Sequence, residues 1–262
     1  MLLPVDASIH NAIGVVGHRE RKPRCPPERA YALSHPPIAP LAAAALLLCA
    51  LALYLGFFVA PTDALQGEAY RIIFIHLPAA WMSMLLYLLL ALCAGAGLVF
   101  NARLAPMLVQ ALAPTGAMFA FLSLWSGCLW AKPVWGAWWV WDVHLISELA
   151  LVVLYSALIA LQAIIGEPRL TDKACAWLAL AGSVNVPVNA LSVQWWTTLH
   201  HSPPIGLSAA PSMATSMLAG ALVMAAGFCC YAGAVVLLRL RCVILERERD
   251  SDWVAARGRV PP

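Results

Sequence analysis

Charge is scarce in this chain. Asp, Glu, Lys and Arg together make up 11% of 262 residues, while 62% are hydrophobic and the mean hydropathy is +0.80. A soluble fold of this length has too little interior to hide so much apolar surface, which excludes a soluble globular protein and implies a polytopic membrane protein. No GxxxxGK[ST] occurs, so the chain does not hydrolyse nucleotide through a phosphate-binding loop. Neither CxxC nor CxxCH is present. Of eight cysteines, Cys49, Cys93, Cys128, Cys175, Cys229 and Cys230 fall in or at the ends of apolar segments, and Cys25 and Cys242 flank them. None lies in an outer segment as defined below, so no disulfide framework is expected.

Six segments are long and apolar enough to span a bilayer: about 39–60, 72–99, 104–130, 144–166, 174–193 and 211–238. Each is expected to be a helix, because lipid offers a spanning backbone no other hydrogen-bond partners. The expected fold is therefore an all-α integral membrane protein of six transmembrane helices. With both ends cytoplasmic, the inner segments collect fourteen of the sixteen cations: Arg19, Arg21, Lys22, Arg24, Arg29, Arg103, Arg169, Lys173, Arg239, Arg241, Arg247, Arg249, Arg257 and Arg259. Only Arg71 and Lys132 remain outside, a strong positive-inside bias. Residues 1–38 are polar, Pro-rich and aperiodic, and are expected to be a disordered cytoplasmic extension. The apolar segment after them is too long for a signal-peptide core and reads as a retained helix. Residues 39–240 form the membrane domain, with an external loop at 131–143, and 241–262 read as a cytoplasmic tail.

Polar chemistry gathers in three outer segments. The first runs from Glu68 to Pro78, the second is Lys132-Pro133 with the Trp-rich stretch after it, and the third runs from Gln194 to His201. Trp135, Trp138, Trp139 and Trp141 place four indoles within eight residues that end at Asp142. An aromatic belt should decorate both membrane surfaces. Here Trp81, Trp125, Trp130, Trp195 and Trp196 also lie toward the outer side, and only Trp177 and Trp253 toward the inner. Generic anchoring does not explain that asymmetry; a platform for a flat hydrophobic cofactor does. His76 and His200 enter or leave the bilayer on the same face, from different segments. Two imidazoles from opposite sides make a six-coordinate haem site, although each reads equally as a polar interface residue bonded to a nearby carbonyl. Arg71 and Lys132 are the outer cations available to haem propionates, with snorkelling at helix ends as the alternative. Asp142 is placed to cap a helix beginning near Val143. Glu148, one turn inside that helix, needs a partner, and His144 on the same face is the obvious one.

These residues are also a recognisable pattern. Trp135-Gly-Ala-Trp-Trp-Val-Trp-Asp142 followed by Leu145-Ile-Ser-Glu-Leu149 resembles the WWD signature of haem-handling membrane proteins. With Tyr70-Arg-Ile-Ile-Phe-Ile-His-Leu-Pro-Ala-Ala80 and Trp195-Trp-Thr-Thr-Leu-His200, the chain resembles the CcmC family of cytochrome c maturation over roughly residues 39–240. The resemblance implies a non-enzymatic component in the inner membrane of a bacterium that binds haem b transiently at its periplasmic face. It implies delivery of that haem to the chaperone CcmE, together with CcmD and the ABC-type pair CcmA and CcmB, in a membrane-lipid setting with no role for nucleic acid. Carried over, His76 and His200 are the axial ligands, and Trp135, Gly136, Trp138, Trp139, Trp141 and Asp142 the haem platform. The chain departs from the family pattern in having His144 where Arg is usual, a shorter and more apolar loop after His200, a second imidazole at His201, and the N-terminal extension.

Two other classes stand beside this reading. A permease carrying haem across the bilayer should have a polar pathway, yet the spans contain almost no ionisable residue besides Glu148. A cytochrome b-like electron carrier should have histidine pairs deep in its helices on both sides of the midplane, whereas the candidates here lie at one surface.

Overall fold

The spans settle into a bundle because each helix offers its neighbours small residues and closely fitted apolar ones. The structure is a computed structural model, and it describes residues 26–195 and 213–258. Among them there are nine α-helices: α1 (Pro27–Ser34), α2 (Ile38–Tyr54), α3 (Ile73–Phe100), α4 (Leu104–Trp135), α5 (Val143–Ile164), α6 (Pro168–Gly182), α7 (Asn185–Trp195), α8 (Thr215–Arg247) and α9 (Asp252–Gly258). A π-helical turn, Leu55–Val59, extends α2, and a 3-10 turn, Glu68–Ile72, leads into α3. Six helical stretches are long and apolar enough to cross a membrane, as expected.

The fifth span is broken. Ser183 and Val184 form a turn between α6 and α7, and Pro187 has no N–H to return to the Ser183 carbonyl, which weakens the helix at that point. Helix α4 lies at the centre. Ala111, Ala113, Gly116 and Ala120 are buried against its neighbours, whereas Leu46 and Leu47 of α2 stand 73% and 70% exposed, toward lipid. Small residues let helix backbones approach closely where lipid tails give no hydrophobic drive to association.

Two tyrosines fill the middle of the bundle. Tyr87 of α3 and Tyr155 of α5 meet edge to face at 5.1 Å, both fully buried, and the Tyr155 hydroxyl donates to the Ser83 carbonyl at 2.8 Å. Gly116 makes room for them: a Cβ at that position would run into the Tyr155 ring.

At the arginine-rich end, Arg247 of α8 makes a two-pronged ion pair with Asp172 of α6 at 2.7 and 2.9 Å, and Arg103 pairs with Glu248 at 2.7 Å. Arg241 donates to the Tyr31 carbonyl at 2.6 Å and lies 3.8 Å over its ring. The stretch that composition assigns to a disordered extension is thus helical over Pro27–Ser34 and fastened to α8. Pro27 suits a first helical turn, and the docking contacts come from residues far away in sequence, which local patterning does not reveal. The tail is also helical in part: α8 runs on to Arg247, and α9 follows.

Gly116→Ala is expected to lower stability by about 1–3 kcal/mol through overpacking. A thermal-melt series in detergent checks this, and adding Tyr155→Leu should recover much of the loss. An equal loss with and without the ring would refute the clash as its cause.

Candidate functional site

The Trp-rich end of the bundle is built on two helix ends. Helix α4 continues to Trp135, so the expected loop over 131–143 contracts to 136–142, and Lys132 and Trp135 stand on the helix itself. Gly136 closes that helix with φ +77, a conformation that L side chains rarely adopt, and its N–H returns to the Lys132 carbonyl at 3.0 Å. Lys132 Nζ donates to the Gly136 carbonyl, also at 3.0 Å, and lies 6.0 Å from the Trp138 ring. The cation therefore serves the helix terminus, where the dipole favours it. At the other end of the loop, Asp142 is the N-cap of α5, its Oδ1 accepting from the Leu145 N–H at 2.8 Å, as the sequence suggested.

Between these caps the indoles divide into two kinds. Trp141 and Trp138 are 79% and 55% exposed. Trp139 is half-buried and meets Trp141 edge-on at 5.4 Å, with its Nε1 buried and without an acceptor among the described residues. Open indole faces beside an unmet N–H suit a flat apolar ring that carries carboxylates.

His76 sits one turn into α3, facing α4. Its Nδ1 lies 3.0 Å from the Ser123 carbonyl and 3.2 Å from Ser126 Oγ. A carbonyl only accepts, so Nδ1 carries the proton in the neutral ring and Nε2 holds the lone pair, the tautomer that ligates a metal through Nε2. Gly127 permits this approach, since a Cβ there would come within 3.0 Å of His76 Cε1. Trp130 packs edge-on to His76 at 5.7 Å, and its Nε1 donates to Gln66 Oε1 at 2.8 Å. That indole is a wall beside the imidazole.

His144 is held in the same manner. Its Nδ1 lies 3.3 Å from the Asn189 carbonyl and 3.0 Å from Ser192 Oγ, both on α7. The expected His144–Glu148 pair does not form. Glu148 instead accepts from Asn189 Nδ2 at 2.6 Å and from Ser83 Oγ at 3.4 Å. The physical reason is proximity to α7, whose amide satisfies the carboxylate from across the helix interface.

His76, His144 and Glu148 line one cavity with Ser123, Gly127 and Trp135, of about 20 Å3. That is room for roughly one water. The cavity itself does not admit a tetrapyrrole.

Arg71 is engaged elsewhere. It pairs with Glu68 and donates to the carbonyls of Gly56 at 2.6 Å and Ala60 at 3.1 Å, closing the π-helical turn after α2. Its guanidinium fastens a helix end through backbone carbonyls. His200 and His201 lie outside the described residues. Sequence reasoning passed over Ser123, Ser126, Asn189 and Ser192, although a three-residue spacing of polar groups on an otherwise apolar helix is a visible signal.

A family model described as Heme exporter protein C matches residues 23–255. Heme exporter protein C of Escherichia coli (strain K12) is 42% identical over 201 residues, covering 76% of this chain and 80% of that protein. The protein of the same name from Bradyrhizobium diazoefficiens is 38% identical over 225 residues, covering 86% and 85%. A putative cytochrome c biosynthesis ccmC-like mitochondrial protein of Arabidopsis thaliana is 31% identical over 221 residues, covering 82% of each.

Asp142→Ala removes the cap of α5 and is expected to cost about 1 kcal/mol, while Asp142→Asn keeps most of it. Thermal melts of the two variants check this; equal losses would mean that the carboxylate does something other than cap.

Proposed function

This chain belongs to the haem exporter protein C family, and from that premise we propose that it binds haem b transiently at the periplasmic face of a bacterial inner membrane. It presents that haem for covalent attachment to the chaperone CcmE during c-type cytochrome assembly. The reading is supported above all by the geometry of His76: an imidazole oriented by a carbonyl and a hydroxyl, edge-on to Trp130 and lining one cavity with Trp135.

The division of labour follows from the residues. His76 supplies Nε2 to one face of the iron, and His200 the other axial bond. Trp138 and Trp141 stack on the ring, and Lys132, on the last turn of α4, faces its carboxylates. Arg71 secures the end of α2 and takes no direct part. The chain itself provides orientation and ligation, while the vinyl chemistry belongs to the haem and to the chaperone that attacks it. One axial ligand has to be exchangeable at transfer, and we assign that role to His200. CcmD and the CcmA–CcmB pair complete the complex, with nucleotide hydrolysis supplied by the latter.

The test is the absorption spectrum of the detergent-solubilised protein, co-expressed with CcmD and without CcmE. A Soret band with low-spin features is expected, lost or altered in His76→Ala and in His200→Ala. A parent without haem, or one whose spectrum neither variant changes, would overturn the axial assignment and leave the indoles as interface anchors.

A further inference from the structure

Glu148 is 4% exposed, in the second turn of α5 and inside a membrane span. A carboxylate there is costly unless its surroundings repay it with hydrogen bonds. The shortest of these bonds comes from α7, beside a longer one from Ser83 of α3. Asn189 of α7, 1% exposed, gives its side-chain N–H to Glu148 Oε2 at 2.6 Å. The backbone carbonyl of the same residue faces His144 Nδ1, and Ser192, fully buried, faces it too. One turn earlier, Asn185 Nδ2 donates to the Ser147 carbonyl at 2.8 Å. Successive turns of α5 and α7 are thus joined by polar bonds, beside the apolar core that Val186 of α7 shares with α5.

Helix α7 is only eleven residues long and is cut off from α6 by the turn at 183–184. Apolar packing is non-directional and leaves a short helix free to slide or rotate. Directed hydrogen bonds from a buried carboxylate allow one register. The pattern also matches the opposite wall of the site. His76 is held by the carbonyl of Ser123 and the hydroxyl three residues on, and His144 by the carbonyl of Asn189 and the hydroxyl three residues on. The two imidazoles so oriented line one cavity, and the carboxylate clamp is on the α7 side.

We propose that Glu148 is a positioning residue for the haem site: by clamping Asn189 it fixes α7 against α5, and so sets the wall that carries His144 opposite His76. His200 follows the last residue of α7 by five positions in the sequence. This inference rests on the axial reading of His76 and His200. No bond is made or broken by Glu148 itself; it determines how well the second axial bond can form.

An isosteric swap tests it. Asn189→Asp sets two carboxylates face to face, and the double variant Glu148→Gln with Asn189→Asp restores one donor and one acceptor with the roles exchanged. Haem-loaded parent, N189D, E148Q and the double variant are compared by absorption and by electron paramagnetic resonance. In N189D the haem stays bound through His76, but its coordination is expected to move from six toward five by about tenfold, the scale of a buried hydrogen-bonded pair lost. Added imidazole should restore the low-spin form. E148Q, whose amide oxygen still accepts from Asn189, and the double variant should both resemble the parent. A parental spectrum in N189D, or a double variant no better than N189D, overturns the proposal while the axial reading stands. A parent indifferent to His76→Ala and His200→Ala overturns both. Should N189D not yield monodisperse protein, Glu148→Ala, which removes the acceptor for Asn189, is read in its place; an unchanged low-spin fraction there likewise overturns the proposal.

Discussion

Inside the hydrocarbon layer a polar side chain has only the protein to bond to, and every polar feature of this molecule follows from that constraint. The Tyr155 hydroxyl reaches the Ser83 carbonyl, Glu148 draws on Asn189 and Ser83, and both imidazoles borrow carbonyls from helices across the interface. Each arrangement is an answer to missing water. The consequence is orientation: a histidine whose Nδ1 is tied to a carbonyl has a set tautomer and a set ring plane. In water the same imidazoles would exchange partners and tautomers freely.

The two outer cations show how the constraint sorts structural from functional roles. Both were equally plausible as propionate partners from their position in the chain. Arg71 proves to be spent on two backbone carbonyls and Glu68, since the π-helical turn after α2 leaves acceptors that nothing else satisfies. Lys132 holds one carbonyl at a helix end and keeps further donor capacity at an exposed position. The two cations are therefore unequal in what they can still offer a ligand.

Much of the fold was legible because lipid leaves little choice: long apolar runs are helices, and the six spans fall close to where hydropathy places them. The cap at Asp142 was legible for a similar reason, being set by residues within one turn. What composition missed depends on contacts distant in sequence. Helix α1 owes its place to Arg241, more than two hundred residues away, and the partner of Glu148 lies on α7 rather than one turn back on α5. The end of α4 at Trp135 was missed because a run of tryptophans resembles a loop by composition, although Pro133 and Lys132 sit comfortably within a last helical turn. Sequence periodicity finds the face of a helix but not what faces it.

The smallness of the cavity beneath the indoles has a kinetic meaning. A protein that stores a cofactor encloses it, so that escape waits on the opening of the fold. With space for about one water, the cavity between His76 and His144 does not enclose a macrocycle among the described residues. On the proposed reading, dwell time at the rim would be governed by two metal–nitrogen bonds and by stacking, all of which a docking protein can compete for directly. The same shallowness that limits tight storage leaves an edge of the cargo within a neighbour's reach, and retention and hand-over are then set by one surface.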